Sequence, residues 1–108
     1  MELKDRVAFV TAGGSGIGRA GALAMAREGA LVVVTDLLAE RAVAVAAEIC
    51  AAGGRAEGFG LDVADDSALE EAILGADRRH GRLDVVHSYA GVQVPGRLDQ
   101  VSAEQMDL

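Results

Sequence analysis

Short apolar runs alternate with stretches of helical spacing along this chain. The first two runs, at residues 7–11 and 30–36, are continuous, which is typical of strands buried on both faces of a parallel sheet. Two further strands are predicted at residues 56–63 and 83–91. Helices are predicted between and after the strands, at residues 16–28, 39–52, from near 65 to 81, and from 102 onward.

Two of the predicted helices carry expectations about individual residues. The third is expected to start with a capping box formed by Ser67 and Glu70 and to stop at Gly81. The second is expected to end at Gly53 and Gly54. Its core-facing side chains are expected to be those that recur at helical spacing, namely Val43, Ala46, Ala47 and Cys50.

The alternation of strands and helices predicts the fold class. Parallel strands joined by right-handed crossovers form an α/β, doubly wound sheet of the Rossmann type, whose N-terminal half has the strand order 3-2-1-4. The 108 residues suffice for one core, so a single domain spanning residues 1–108 is expected.

The composition limits which side chains can form the core and which kinds of partner the chain can bind. Hydrophobic residues make up 51% of the chain but aromatic residues only 3%, so the core is expected to consist of Ala, Val, Leu and Ile. The formal net charge is −7 and the ten basic residues are scattered, which argues against a nucleic-acid partner. Cys50 is the only cysteine, so no internal disulfide is possible. No apolar run approaches ~18 residues, so we expect no membrane partner and a cytoplasmic location.

A glycine cluster follows the first predicted strand, within residues 9–21. Glycines between a strand and a helix allow a tight turn and let a diphosphate approach the helix N-terminus, where unpaired N–H groups favour negative charge. A literal G-x-G-x-x-G at Gly16, Gly18 and Gly21 begins about five residues after the strand should end, so its register fits poorly. The pattern T-G-x-x-x-G-x-G fits better, as TAGGSGIG at residues 11–18.

Four motifs at the strand ends together resemble the short-chain dehydrogenase/reductase family. They are TAGGSGIGRA from residue 11, Asp36 after the second strand, LDV at residues 61–63 and YAG at residues 89–91. The resemblance implies the N-terminal, NAD(P)-binding part of an oxidoreductase that transfers hydride between a nicotinamide cofactor and an alcohol or carbonyl substrate.

The resemblance also implies which residues bind the cofactor. Ile17 is expected to act through its backbone N–H while its side chain lies in the core, and the Ser15 hydroxyl either reaches the cofactor or caps the helix. The candidate cofactor-binding residues are Gly13, Gly14, Ser15, Gly16, Ile17, Gly18, Asp36, Leu37, Asp62, Val63, Ser88, Ala90 and Gly91.

Asp36 is expected to select the cofactor. A carboxylate at the end of the second strand can accept both ribose hydroxyls of an adenosine and would repel a 2′-phosphate. Neither Leu37 nor Ser15 is basic, as an NADP site would often require, so NAD is expected to be preferred over NADP. The alternative is that Asp36 caps the following helix.

Asp62 and Val63 follow the third strand. The resemblance implies that the Asp62 carboxylate meets the adenine amino group and that the Val63 backbone meets the ring. The alternative is that Asp62 is an ordinary turn aspartate.

Two departures from the family pattern bear on the site. Ala12 stands where the family usually has its first glycine, so a positive φ there would be strained, with Gly13 able to take part of the turn. The segment HSYAG places Ser88 and Tyr89 where the family commonly has two asparagines that line the adenosine side.

No catalytic residue and no metal ligand set is assigned. The family uses a serine and a tyrosine followed four residues later by a lysine, whereas Gln93 follows Tyr89 at that distance and Lys4 is the only lysine. His87 is interpreted as a core histidine and His80 as a helix C-terminal residue. The catalytic half is therefore expected beyond Leu108, and the chain alone is expected to be inactive.

Other functions remain open on the sequence alone. One is a non-catalytic dinucleotide-binding or interaction module that ends at residue 108, and another is a methyltransferase-like domain that would bind S-adenosylmethionine. The substrate cannot be deduced. A fourth strand with no fifth beside it has an unpaired edge, which predicts self-association or a homo-oligomer.

Overall fold

The structure is a computed structural model that describes residues 3–12, 14 and 16–88. The helix expected from residue 102 lies outside these residues. The described elements are, in chain order, β1 (Val7–Thr11), α1 (Gly16–Arg27), β2 (Leu31–Asp36), α2 (Ala39–Ala51), β3 (Arg55–Gly60), α3 (Asp66–His80) and β4 (Val85–Ser88).

The sheet has four parallel strands in the order β3-β2-β1-β4, which confirms the predicted fold class and topology. β1 lies at the centre, with Val10 opposite Val34 of β2 and His87 of β4. Because all strands are parallel, their carboxyl ends meet at one edge of the sheet. The residues at which the candidate motifs begin are therefore neighbours in space.

Helices cover both faces of the sheet, and the side chains of β1 and β2 alternate between two core layers. One layer contains Ala8, Val10, Val32 and Val34 with residues of α1 and α2. The other contains Val7, Phe9 and Val33 with residues of α3. Ala22 of α1 and Ala42 of α2 are fully buried, so small side chains let these helices approach the strands closely.

The predicted core face of α2 is confirmed at Ala46 and wrong at the other three positions. Val43 is 51% exposed, and Ala47 and Cys50 are also exposed. The buried side chains are Ala42, Val45, Ala46 and Ile49. A shift of one residue rotates the face by about 100°, and the position of β3 decides between the two faces. The backbone of α2 packs so closely on β3 that a Cβ at Gly58 would lie 2.5 Å from the Ala42 carbonyl oxygen.

The start of α3 also differs from the prediction, whereas its end is confirmed. The N-cap is Asp65, whose side chain accepts a hydrogen bond from the Ala68 N–H at 3.1 Å, so the capping box of Ser67 and Glu70 is wrong. Three cap-forming residues follow one another here, and Asp65 is the one with extended backbone at φ −92°. Gly81 ends the helix in the left-handed region at φ 78°.

Asp84 connects the starts of the two neighbouring strands β1 and β4. Its carboxylate accepts hydrogen bonds from two nitrogens of Arg82 and from the Val7 N–H, each at 2.9 Å, and it pairs with Arg6 at 3.4 Å. The hydrogen bond from Arg82, followed by that from the Val7 backbone, lowers the pKa of Asp84 to about 2 from an ordinary 3.8. The ionised carboxylate is therefore the form that the folded state favours.

We predict that Asp84→Asn lowers the free energy of unfolding at about pH 7 and that its difference from the parent shrinks at low pH. A carboxylate whose folded-state pKa is depressed stabilises the fold above its unfolded pKa, near 3.8, and loses that contribution as the pH falls through about 2. Urea unfolding followed by circular dichroism at a series of pH values measures the effect. Glu70→Gln, which removes a charge at an exposed position, is the control. An equal loss in both variants, or a difference that does not depend on pH, would contradict the prediction.

Candidate cofactor site

The turn after β1 uses left-handed backbone at the position where the family pattern has glycine. Ala12 has φ 53°, so the chain does not avoid the positive φ that the sequence analysis treated as strained. A side chain in this region costs roughly 1–2 kcal/mol relative to ordinary backbone. Gly16, with φ 61°, follows at the start of α1. Gly13 and Ser15 lie outside the described residues.

The N-terminus of α1 lies at the same edge of the sheet as this turn. Its first N–H groups have no carbonyl partner within the helix, and its first turn contains no acidic residue. Gly18 is buried, whereas Ile17 is 76% exposed, so the expectation that the Ile17 side chain lies in the core is wrong. Ile17 lies on the exposed side of the first turn of α1, whereas the next residue, Gly18, is on the buried side. The backbone at this end favours an anionic group.

Asp36 joins the glycine-rich turn to the segment before α2. Its Oδ2 accepts a hydrogen bond from the Gly14 N–H at 3.0 Å, and its Oδ1 accepts one from the Leu38 N–H at 3.0 Å. The N-cap of α2 is Leu38, which makes no side-chain cap, so Asp36 is not the N-cap that the alternative interpretation required. The carboxylate instead holds two separate pieces of backbone together.

Gly14 is the position at which this junction is tightest. A Cβ there would lie 2.5 Å from the Cβ of Arg41 and 2.7 Å from Oδ2 of Asp36. A side chain would therefore push the turn away from both α2 and the carboxylate. The contact also shows that the first turn of α2 packs directly on the glycine-rich turn.

The remaining described candidates surround Asp36 or follow β3. Leu37 is 70% exposed beside the carboxylate. The Leu61 N–H donates to the Asp36 carbonyl oxygen at 2.9 Å, which keeps the segment after β3 beside the end of β2. Asp62 accepts a hydrogen bond from the Ala64 N–H at 3.0 Å, the local bond that a turn aspartate makes. Val63 is partly buried against the core layer of α3.

One residue of β4, His87, lies in a different environment from the one expected. Ser88, the last described residue of β4, is opposite Thr11 at the end of β1. His87 is exposed, so its interpretation as a core histidine is wrong. Within the described part of the chain α1 and α2 pack mainly on β1, β2 and β3, and Val85 is the β4 residue that packs against their core layer. Tyr89, Ala90, Gly91 and Gln93 lie outside the described residues.

Two further residues, His80 and Arg41, are not in the candidate set but make contacts near the candidate elements. His80, in the last turn of α3, lies with its Nε2 3.3 Å from Oε1 of Glu57. Arg41, beside Gly14, is not among the residues predicted from the sequence, although its place in the first turn of the helix that follows Asp36 is a usable signal. Among residues 3–12, 14 and 16–88, no group of three or more His, Cys, Asp or Glu side chains could hold a metal ion. No helix in the same residues is long and apolar enough to cross a membrane.

Comparisons with known proteins agree on one family. A family model described as short chain dehydrogenase matches residues 6–108. The protein named "Probable oxidoreductase EphD" of Mycobacterium tuberculosis is 44% identical over 103 residues, which cover 95% of this chain and 17% of EphD. The 2,5-dichloro-2,5-cyclohexadiene-1,4-diol dehydrogenase LinX of Sphingobium indicum is 43% identical over 102 residues, or 94% of this chain and 41% of LinX.

A solved structure has the same fold. The crystal structure of a hydroxysteroid dehydrogenase from Escherichia coli matches with a TM-score of 0.80 and 32% sequence identity, covering 93% of this chain and 43% of that one. The chain thus spans less than half the length of each of these three proteins. Because the family model matches nearly the whole sequence, this chain belongs to the short-chain dehydrogenase family.

Proposed function

We propose that this chain binds a nicotinamide dinucleotide and forms the cofactor-binding part of an oxidoreductase that acts on an alcohol or carbonyl compound. The observation that carries the proposal is the Asp36 carboxylate, which lies hydrogen-bonded to the Gly14 N–H at 3.0 Å beside the turn that leads into α1. In this proposal residues 1–108 form one cofactor-binding domain. Family membership removes the reason to expect S-adenosylmethionine.

The residues present fit a dinucleotide. Among the described residues no atom lies within 4 Å of a Cβ placed at Gly16, and no acidic residue in the first turn of α1 opposes a diphosphate. Gly16, Ile17 and Gly18 would hold the diphosphate through backbone N–H groups. The turn residues Gly13, Gly14 and Ser15, with Asp36 and Leu37, would hold the adenosine ribose. Asp62, Val63, Ser88, Ala90 and Gly91 would line the rest of the site.

Asp36 can bind ribose hydroxyls without releasing the turn. A carboxylate has about four lone-pair positions on its two oxygens, and the Gly14 and Leu38 N–H groups occupy two of them. Two hydroxyl donors can therefore be accepted at the remaining positions. The bonds to Gly14 and Leu38 also hold the carboxylate in place before a cofactor arrives, which reduces the entropy lost on binding.

The same carboxylate favours NAD over NADP. A 2′-phosphate would replace a hydroxyl donor by an anion at a short distance from the Asp36 carboxylate, and like charges repel. When bound, the nicotinamide group would supply or accept the hydride. The residues of this chain would contribute binding and orientation of the dinucleotide.

We predict that Asp36→Ala weakens NAD binding about tenfold or more and weakens NADP binding less. Each hydrogen bond to a charged group is worth roughly 1.5–3 kcal/mol, and a tenfold change corresponds to about 1.4 kcal/mol. Calorimetric titration with both dinucleotides measures the two dissociation constants, and unfolding curves show whether the variant remains folded. Asp77→Ala, an exposed aspartate on α3, is the charge control. If the unmutated chain bound NADP as tightly as NAD, the role assigned to Asp36 would be wrong.

We predict that the 108 residues alone bind NAD without turnover. Carbonyl reduction needs a proton donor of tuned pKa, and general acid catalysis contributes roughly 10²- to 10⁴-fold in rate. Lys4, the only lysine, precedes β1, and Tyr89 has no lysine four residues later. The loss of NADH absorbance with a panel of ketones and aldehydes is the assay. Reproducible turnover that disappears in Tyr89→Phe or His87→Ala would overturn this expectation.

The outer edge of β4 leads to a proposal about assembly. Within the described residues β4 pairs with β1 alone, so its other edge has backbone groups that another strand could pair with. We expect the isolated 108 residues to self-associate through this edge. Light scattering over a concentration series measures the mass. A monodisperse monomer throughout the micromolar range would contradict the expectation.

A further inference from the structure

The sheet ends at β3, on the side opposite to β4. Within residues 3–12, 14 and 16–88, β3 pairs with β2 alone, so the backbone groups on its other edge have no strand beside them. An open strand edge is a template for a further strand. The sequence of β3, RAEGFG, contains no proline, which is the residue that would block such pairing most directly. The outer edge of β3 can therefore accept another strand.

A cleft of about 620 Å³ lies beside this edge, between β3 and α3. Its walls include Glu57 and Phe59 of β3 and Glu71, Arg78 and Arg79 of α3. Arg79 pairs with Glu57 and lies 6.0 Å from the centre of the Phe59 ring, so its guanidinium is already used within the chain. Glu71 and Arg78 are exposed and form no ion pair with any described residue. In the described part of the chain, this cleft thus presents one acid and one base that lack partners.

The positions of Glu71 and Arg78 are complementary about the middle of α3. Gly75 lies near the middle of the helix, with Glu71 about one turn before it and Arg78 about one turn after it. Two antiparallel copies of α3 that met at Gly75 would place Glu71 of each copy opposite Arg78 of the other. The helix dipole favours an acidic residue in the first turn of a helix, but Glu71 lies beyond that turn, so the dipole does not account for it.

We propose that this face is an interface with a second copy of the chain, in which β3 pairs antiparallel with its counterpart and α3 packs beside α3. The cleft brings the middle of β3 level with the middle of α3, so one twofold axis can pass near both Gly58 and Gly75. With Gly58 opposite its own counterpart, Glu57 of each copy faces Phe59 of the other. A register that placed Glu57 opposite Glu57 would bring like charges together.

A second copy fits this face because the face is complementary to itself. A twofold contact uses the same patch on both chains, so every pairing in it occurs twice. The paired β3 strands would join the two sheets into one, and the two pairs of Glu71 with Arg78 would close the clefts on either side of the axis. Glycine at both central positions leaves no side chain there to hold the copies apart. This interface does not depend on cofactor binding, and it lies at the other end of the sheet from the edge of β4.

The test is sedimentation velocity over a concentration series of the full chain, of Glu71→Arg, of Arg78→Glu, of the variant that carries both changes, and of an equimolar mixture of the two single variants. Glu40→Arg and Arg27→Glu are the controls matched in charge, because these exposed residues lie on α2 and α1, the helices of the other core layer. Circular dichroism shows whether each variant is folded. Hydrogen exchange of the parent at low and high concentration locates the contact.

We expect the parent to associate and each single reversal to raise the dissociation constant about tenfold or more, because two attractive pairs become repulsive. Glu71→Arg lowers the net negative charge from −7, so its effect cannot come from overall repulsion between copies. The variant with both changes and the mixture should recover the affinity of the parent, since each restores both pairs. Backbone amides of β3 should exchange more slowly at high concentration.

Three results would overturn the proposal. The first is a parent that remains monomeric throughout the series. The second is association that both single variants retain as fully as the controls, which together with slowed exchange in β4 alone would assign the contact to the β4 edge. The third is a loss in the single variants that neither the mixture nor the combined variant restores while all of them remain folded.

Discussion

The carboxylate of Asp36 holds together the two segments on which the candidate site depends. One oxygen binds the Gly14 N–H and the other binds the Leu38 N–H, each at 3.0 Å. These two N–H groups belong to the turn after β1 and to the segment before α2, so one side chain fixes the position of both. The turn that it holds contains Ala12 at φ 53°, a backbone conformation that side chains other than glycine rarely adopt.

The sheet makes this contact possible. β1 and β2 are parallel neighbours, so the turn after β1 and the carboxylate after β2 emerge side by side. Two glycines let α2 pack closely on its neighbours. Gly14 leaves room for Arg41 of α2 against the turn after β1, and Gly58 of β3 leaves room for the backbone of α2 at Ala42. Close packing of small side chains, which the low aromatic content predicted, is therefore also what shapes the ribose end of the site.

Much of the fold could be predicted because its signals are local. The apolar runs at 7–11 and 30–36 predict the two central strands, and Gly81 marks the end of α3 by its left-handed backbone. The core face of α2 could not be predicted, because alanine and valine occupy so many of its positions that two faces one residue apart look alike. The cap of α3 failed for a similar reason, since Asp65, Asp66 and Ser67 are all suitable cap residues.

The candidate site was predictable as a set of positions but not as a set of contacts. Asp36 and Gly14 follow from the motif, whereas the bond between them spans 22 residues and depends on how the turn is bent. The position of Arg41 likewise depends on the packing of α2 against that turn. The exposure of His87 depends on which helices cover β4, and the strand sequence contains no information about that.

Nuclear magnetic resonance of the ¹⁵N-labelled chain during titration with NAD would test most directly whether the dinucleotide binds across this junction. The account predicts that amide shifts change together for Gly14, for the start of α1 at Gly16–Gly18, and for Leu37 and Leu38. Amides on the far side of the molecule, in the last turn of α3, should not change. Saturable changes confined to β3 and α3, or none at the Gly14 and Leu38 amides, would contradict it.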